Sequence, residues 1–181
     1  MNQINKVRII GGELRSRMIG FPDAEGLRPT PDRVRETLFN WLGQTLYGRT
    51  CLDLFAGSGA LGFEAASRGA ERVVMVERNR AVFRALRENA GKLGCANVFV
   101  HADDGLEFAL RDTQRYDVIF LDPPFQSDFL PELLGILPQR LNEHGVVYVE
   151  SGAATGAPPP WRAIKSGKAG QVHYQLLNIR Q

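Results

Sequence analysis

Cysteine is scarce in this chain: Cys51 and Cys95 are the only two in 181 residues. Neither lies near a residue that would complete a metal set, so a disulfide framework and a zinc site are not expected, and no metal is assigned. Long apolar runs are missing as well. None approaches the ~20 residues needed to span a membrane, and residues 1–10 lack the apolar stretch of a secretion signal. His101, His144 and His173 have no evident metal or nucleophile partner and receive no role. The expectation is a soluble, cytoplasmic, reduced protein without a membrane partner. Its length suits one domain, or one domain with a short appendage, and excludes separate large cofactor and substrate domains.

Acidic residues are absent from residues 151–181, which carry four Lys/Arg. Residues 1–49 hold eight Lys/Arg against five acids, and residues 50–150 hold ten against fifteen. An acidic middle between basic ends suggests a core that handles a small ligand and flanks that meet a polyanion.

Residues 50–150 alternate strand and helix signals. Thr50–Phe55, Glu71–Glu77, Asn97–His101, Tyr116–Leu121 and Gly145–Glu150 read as strands; Ala60–Arg68, Arg80–Leu93, Asp104–Leu110 and Asp128–Leu141 read as helices. Apolar, β-branched strands separated by helices predict a mostly parallel sheet covered on both faces, hence an α/β fold. Residues 1–48 form a basic extension. In it, Val7–Ile19 is strand-like and breaks at Gly11-Gly12 as a hairpin, and a helix runs from Pro31 or Asp32 to about Leu46. Residues 49–181 form the second unit, closing with a hairpin of Trp161–Lys165 and Val172–Ile179. The two are expected to make one compact body.

The first strand ends in Ala56-Gly57-Ser58-Gly59-Ala60-Leu61-Gly62, a G-x-G-x-x-G loop, and Glu77 ends the next strand at the spacing that grips ribose hydroxyls. Alone, this pattern fits a nicotinamide enzyme as well as other nucleoside-cofactor binders. Asp53 tips the balance. A carboxylate four residues before Gly57 suits a cofactor bearing an ammonium group and would repel a pyrophosphate. The whole, D-L-F-A-G-S-G, resembles the S-adenosylmethionine site of class I methyltransferases.

Tyr116–Leu121 runs directly into Asp122-Pro123-Pro124-Phe125. Two prolines stiffen the turn and withhold N–H groups, so it presents acceptors. The exocyclic amine of a base is a weak nucleophile whose two N–H groups need such acceptors. The Asp122 carboxylate and Pro123 carbonyl supply them, and Phe125 offers a stacking face. Placed after a later strand of a sheet carrying the glycine loop, this turn resembles the amino-methyltransferase signature, whose members modify exocyclic amines of adenine or guanine, or the glutamine amide.

Arg8-Ile9-Ile10-Gly11-Gly12, Leu27-Arg28-Pro29-Thr30, the block from Asp32 to Leu42 (DRVRETLFNWL) and Asp53–Arg68 together resemble the RsmD family of bacterial 16S rRNA guanine-N2 methyltransferases, over residues 7 to about 150. The resemblance implies a Rossmann-like class I methyltransferase fold, with a C-terminal antiparallel hairpin and a small N-terminal β-hairpin and helix extension. It implies that Asp53, Phe55, Gly57 and Gly59 line the methionine side of S-adenosylmethionine, that Glu77 takes the ribose, and that Asp103 or Asp104 reaches the adenine amine. Thr30, Arg33 and Glu36 would close over cofactor or target. Asp122, Pro123, Pro124 and Phe125 would hold the guanine, and Arg8, Arg15, Arg17 and Arg28 would contact RNA phosphates.

The implied reaction is direct displacement of the methyl by guanine N2, without metal or covalent enzyme intermediate, on 16S rRNA probed as free RNA or in a small-subunit assembly particle, by a monomer. Three other readings stay open on residues alone: adenine-N6 methylation of DNA or RNA, a nicotinamide-dependent oxidoreductase, and a non-catalytic RNA-binding module.

Overall fold

A computed structural model describes residues 4–124, 128–154 and 156–179. Strands β1 (Ile4–Arg8) and β2 (Met18–Pro22) pair antiparallel, and helix α1 (Asp32–Leu42) follows. The alternating part runs β3 (Thr50–Asp53), α2 (Ala60–Ser67), β4 (Arg72–Glu77), α3 (Arg80–Leu93), β5 (Val98–Ala102), α4 (Gly105–Arg111), β6 (Tyr116–Leu121), α5 (Phe129–Ile136) and β7 (Leu141–Ser151), before β8 (Trp161–Ala169) and β9 (Val172–Ile179). The order across the main sheet is β5-β4-β3-β6-β7-β9-β8. The first five of these are parallel; β9 runs antiparallel to both β7 and β8.

The chain leaves β3 towards β4 on one side and returns to β6 on the other, so the β3 and β6 ends flank the switch point where open α/β sheets bind ligands. Apolar residues on the two faces of the strands feed two cores. Cys51, Met75, Phe120 and Tyr148 face α1, α2 and the N-terminal strands, while Leu52, Val74, Ile119 and Val147 face α4 and α5. Helix α3 shows why the sequence pattern was readable: Val82, Leu86 and Leu93 are buried at helical spacing, and Asn79 caps the start by accepting from the N–H groups of Ala81 and Val82.

Several boundaries differ from expectation for local reasons. Helix α1 stops at Leu42 because Gly43 takes the left-handed C-cap position. Helix α5 gives way to a 3₁₀ turn over Leu137–Arg140, since Pro138 has no N–H for the α-helical ladder. Strand β7 begins four residues early, at Leu141, which pairs with Tyr116. The Gly11-Gly12 pair is not a tight hairpin turn. The strands connect through residues 9–17, and the glycines lie flat against the end of α2. A Cβ on Gly12 would stand 2.0 Å from the Ser67 carbonyl oxygen, so only glycine fits that approach.

A buried ion-pair cluster fixes the N-terminal segment to the sheet. Glu64 on α2, fully buried, accepts from the backbone N–H of Ile10 at 2.9 Å and of Gly11 at 2.8 Å. Its carboxylate also meets Arg68 at 2.9 Å and Arg35 of α1 at 3.3 Å. Arg35 is itself fully buried and donates onward to the carbonyls of Thr30 and Arg8. Removing one member of such a set strands the others without water. Glu64→Gln is therefore expected to lower folding stability by about 3–5 kcal/mol, read as a fall in the urea midpoint; a loss under about 1 kcal/mol, the size of an exposed pair, would refute this account.

Candidate active site

The register of the parallel strands assembles a row of acids. Asp53 pairs with Met75 of β4 and with Phe120 of β6, and Phe120 pairs with Tyr148 of β7. Because side chains repeat every second residue, the next positions on that face are Glu77, Asp122 and Glu150, at the C-terminal ends of three neighbouring strands.

Asp53 is buried, and its Oδ2 has no hydrogen-bond partner among the described residues. Burial drives its pKa up to about 7; the Gly62 backbone N–H works against that, and the charge of Glu77 adds to it. The Asp122 carboxyl lies well above the usual carboxylate range. Burial is the main cause, followed by the charge of Glu150, its hydrogen bond with Asp122, and the charge of Asp53. Glu150 is 4% exposed and is held from two sides: the Tyr148 hydroxyl donates to Oε1 at 2.8 Å and the Thr30 hydroxyl to Oε2 at 3.3 Å.

The glycine loop turns from β3 into α2 beside this row. Gly57 and Gly59 both take left-handed backbone, and a Cβ on Gly59 would lie 2.6 Å from the Phe63 ring. Glu77 braces the loop, its Oε2 accepting from the Gly57 N–H at 3.0 Å and its Oε1 from Asn79 at 2.8 Å. Phe55 is half-buried and packs against Gly105. Asp104 caps α4, accepting from the N–H groups of Leu106 and Glu107 with Oδ1. Asp103 accepts from the Asp104 N–H and pairs with Arg111. Pro123 is buried and Pro124 exposed at the turn. Phe125 lies outside the described residues. Cys51 is buried and its thiol is pushed up to about 12, which leaves it protonated and inert at neutral pH.

The structure separates the remaining candidates. Thr30 joins the acid row through Glu150, and Arg33 is exposed on the first turn of α1. Glu36 instead lines an open groove of about 720 Å³ with Gly11, Arg15, Asn40, Gln44 and Arg68. All four expected RNA-contacting arginines are exposed. Arg8 pairs with Asp32 at the start of α1. Arg15 borders that groove, and Arg17 donates to the Lys92 carbonyl at the end of α3. Sequence reasoning missed Glu150, Tyr148, Arg35 and Glu64. Glu150 carries the same signal that exposed Glu77, an acid closing an apolar strand. Arg35 falls on the helical stripe of Leu38, Phe39 and Leu42, where a buried charge needs partners.

Comparison with known proteins follows the same lines. The family model described as Conserved hypothetical protein 95 matches residues 7–178. Ribosomal RNA small subunit methyltransferase D of Escherichia coli (strain K12) is 42% identical over 176 residues, covering 94% of this chain and 89% of that protein. The Haemophilus influenzae protein of the same name is 38% identical over 183 residues, covering 97% and 95%. The chain belongs to the RsmD family. A solved structure of the Escherichia coli protein yhhF matches with a TM-score of 0.87 at 40% identity, over 97% of this chain and 98% of that one. The RsmD chain thus has the Rossmann-like class I methyltransferase fold, with its mostly parallel sheet and antiparallel C-terminal strands.

An acid whose folded pKa exceeds its unfolded one supports folding below the unfolded value, and that support is lost as pH rises through the folded value. For Asp53 the window runs from about 4 to about 7. Asp53→Asn in the protein without cofactor is therefore expected to raise Tm at pH 8, with the gain over wild type shrinking steadily towards pH 5. A gain that did not vary with pH would contradict the burial of a charged Asp53.

Proposed function

We propose that this RsmD-family chain transfers a methyl group from S-adenosylmethionine to the exocyclic N2 of a guanine in 16S ribosomal RNA. The observation that carries the reading is Asp122, an acid beside a donor-poor Pro-Pro turn, one strand from a buried carboxylate with an unpartnered oxygen.

That unpartnered Oδ2 of Asp53 fits a cationic group, and the methionine ammonium of S-adenosylmethionine is one. Gly57 and Gly59 would leave the backbone open to the cofactor, and Glu77 would reach its ribose while still bracing the loop. The adenine would fall near Asp103 and Asp104, of which Asp103 is tied to Arg111 and Asp104 keeps Oδ2 clear of its capping bonds. S-adenosylmethionine, when bound, supplies a methyl group on a positively charged sulfur. This chain's residues do the rest. Asp122 and the Pro123 carbonyl accept from the target amine and orient its lone pair, Phe125 stacks on the ring, and the closed end of the sheet keeps water away. Thr30 would act through Glu150, and Arg33 would meet the target from above α1. Arg8, Arg15, Arg17 and Arg28 would follow the phosphate backbone.

The acid at position 122 favours guanine over adenine. Guanine presents two adjacent donors, N1–H and N2–H, to a carboxylate that only accepts. Adenine would set its N1 acceptor against a carboxylate oxygen. The names of the Escherichia coli and Haemophilus influenzae relatives support small-subunit RNA as the substrate class. Such a substrate would place the enzyme in the bacterial cytoplasm, acting as a monomer on an assembly particle.

The reading is tested by transfer of labelled methyl from S-adenosylmethionine to small-subunit particles, free 16S rRNA and duplex DNA, followed by nucleoside analysis. N2-methylguanosine from the RNA samples is the expected product; N6-methyladenine would overturn the target. Asp122→Ala should bind S-adenosylhomocysteine as wild type does and lose transfer by about 10²-fold or more. Equal loss of binding and transfer in the folded variant would refute the role of Asp122.

A further inference from the structure

Glu150 is buried at the end of β7 in a position that two hydroxyls and a second carboxyl converge upon. Among the described residues, no basic side chain hydrogen-bonds or pairs with it. The groups facing it are Asp53 from β3, Asp122 after β6, Tyr148 on its own strand and the Thr30 hydroxyl ahead of α1. Glu77 of β4 bears on the same row through Asp53, and Tyr174 of β9 bears on it through Tyr148. Arg35 donates its Nε to the Thr30 carbonyl, and its terminal nitrogens to Arg8, Glu64 and Asp32. Burying a second acid against Asp122 without a cation is costly. A purely structural position would be filled better by a neutral side chain.

We propose that Glu150, fixed by Tyr148 and Thr30, is a positioning residue for Asp122: it anchors one Asp122 oxygen, turns the other towards the target amine, and makes Asp122 a better acceptor of the proton that amine must lose. The inference rests on the reading of Asp122 given above. The step balances. As the amine nitrogen takes the methyl, its lone pair becomes the new N–C bond, and the electrons of the broken S–C bond stay on sulfur. The positive charge that arrives on nitrogen leaves as one N–H proton, accepted by the free Asp122 oxygen, and a neutral N-methylamine remains. Two carboxyl groups side by side resist losing their last shared proton, which is the property a proton acceptor in this position uses. Once the product departs, the extra proton returns to solvent.

The experiment measures kcat/KM for methyl transfer against pH in wild type, Glu150→Gln, Thr30→Val and Asp122→Ala, with S-adenosylhomocysteine binding and Tm read for each. In Glu150→Gln the neighbouring charge is gone while the shape is kept, so the acid limb of the profile is expected to move down by about one pH unit or more. Thr30→Val removes a donor that favours the Glu150 charge, so its limb is expected to move down as well, by less than in Glu150→Gln. A structural role would lower Tm and scale activity equally at every pH. Limbs unmoved in the folded variants, with Asp122→Ala inactive, would overturn the role of Glu150 alone. Transfer that survives Asp122→Ala would overturn the reading of the site, and this one with it. Should Glu150→Gln fail to fold, the direction of the Thr30→Val shift decides.

Discussion

Four acids end up at one end of one sheet because the parallel strands lock into a single register. Asp53 opposite Met75 and Phe120, and Phe120 opposite Tyr148, leave no choice about where Glu77, Asp122 and Glu150 fall. A slip of one residue in any strand would turn its acid to the opposite face, among the apolar residues packed on α4 and α5. The site is therefore a consequence of β-pairing, and the apolar packing below it keeps the pairing. Beneath the acids the Tyr148 ring contacts those of Phe120 and Tyr174, with Phe39 of α1 against Phe120.

The energetic burden of that row is borne elsewhere. Burial first, and then the charge of neighbouring carboxyls, makes Asp53 and Asp122 hold their protons more tightly. The folded chain must carry this cost whenever the pH is neutral. The Glu64 cluster is the complementary case, one carboxylate satisfied by two guanidinium groups and two backbone N–H groups. It is charged, buried and fully bonded, and it fastens the N-terminal strands and α1 to α2. Since Thr30 lies just ahead of α1 and its carbonyl is bonded by Arg35, the same cluster sets the hydroxyl that reaches Glu150. The N-terminal segment is thus coupled to the acid row through one short path of bonds.

This division explains what could be read from the sequence. The alternation of strands and helices, the extents of α3 and β6, and the glycine loop were legible because each depends on local pattern or local backbone need. Asp53, Glu77 and Asp122 were legible because each closes or interrupts an apolar strand beside a turn. Glu150 obeys the same rule, but its meaning lies in its neighbours Tyr148 and Thr30, the latter 120 positions away in sequence. Arg35 and Glu64 were hidden for a related reason: a charged residue on an apolar stripe reads as surface until its partner from another helix is known. Gly11-Gly12 was misread as a hairpin turn because a glycine pair is equally the mark of a close approach, and only the carbonyl of Ser67 distinguishes the two.

The charge gradient along the chain acquires a physical meaning from the same geometry. Residues 50–150 are net acidic, which would repel a polyanion. Much of that acidity is inside the sheet end, where Asp53 and Asp122 retain protons more readily than free carboxyls, so the mouth of the site is less negative than the count of acids suggests. Arg8, Arg15, Arg17 and Arg28 of the N-terminal segment are exposed. At physiological salt such charges act over only ~8 Å. The acids at the sheet end and the exposed N-terminal arginines are thus separate features of one small domain, and the reluctance of Asp53 and Asp122 to ionise lets them coexist with less opposing charge than the sequence count implies.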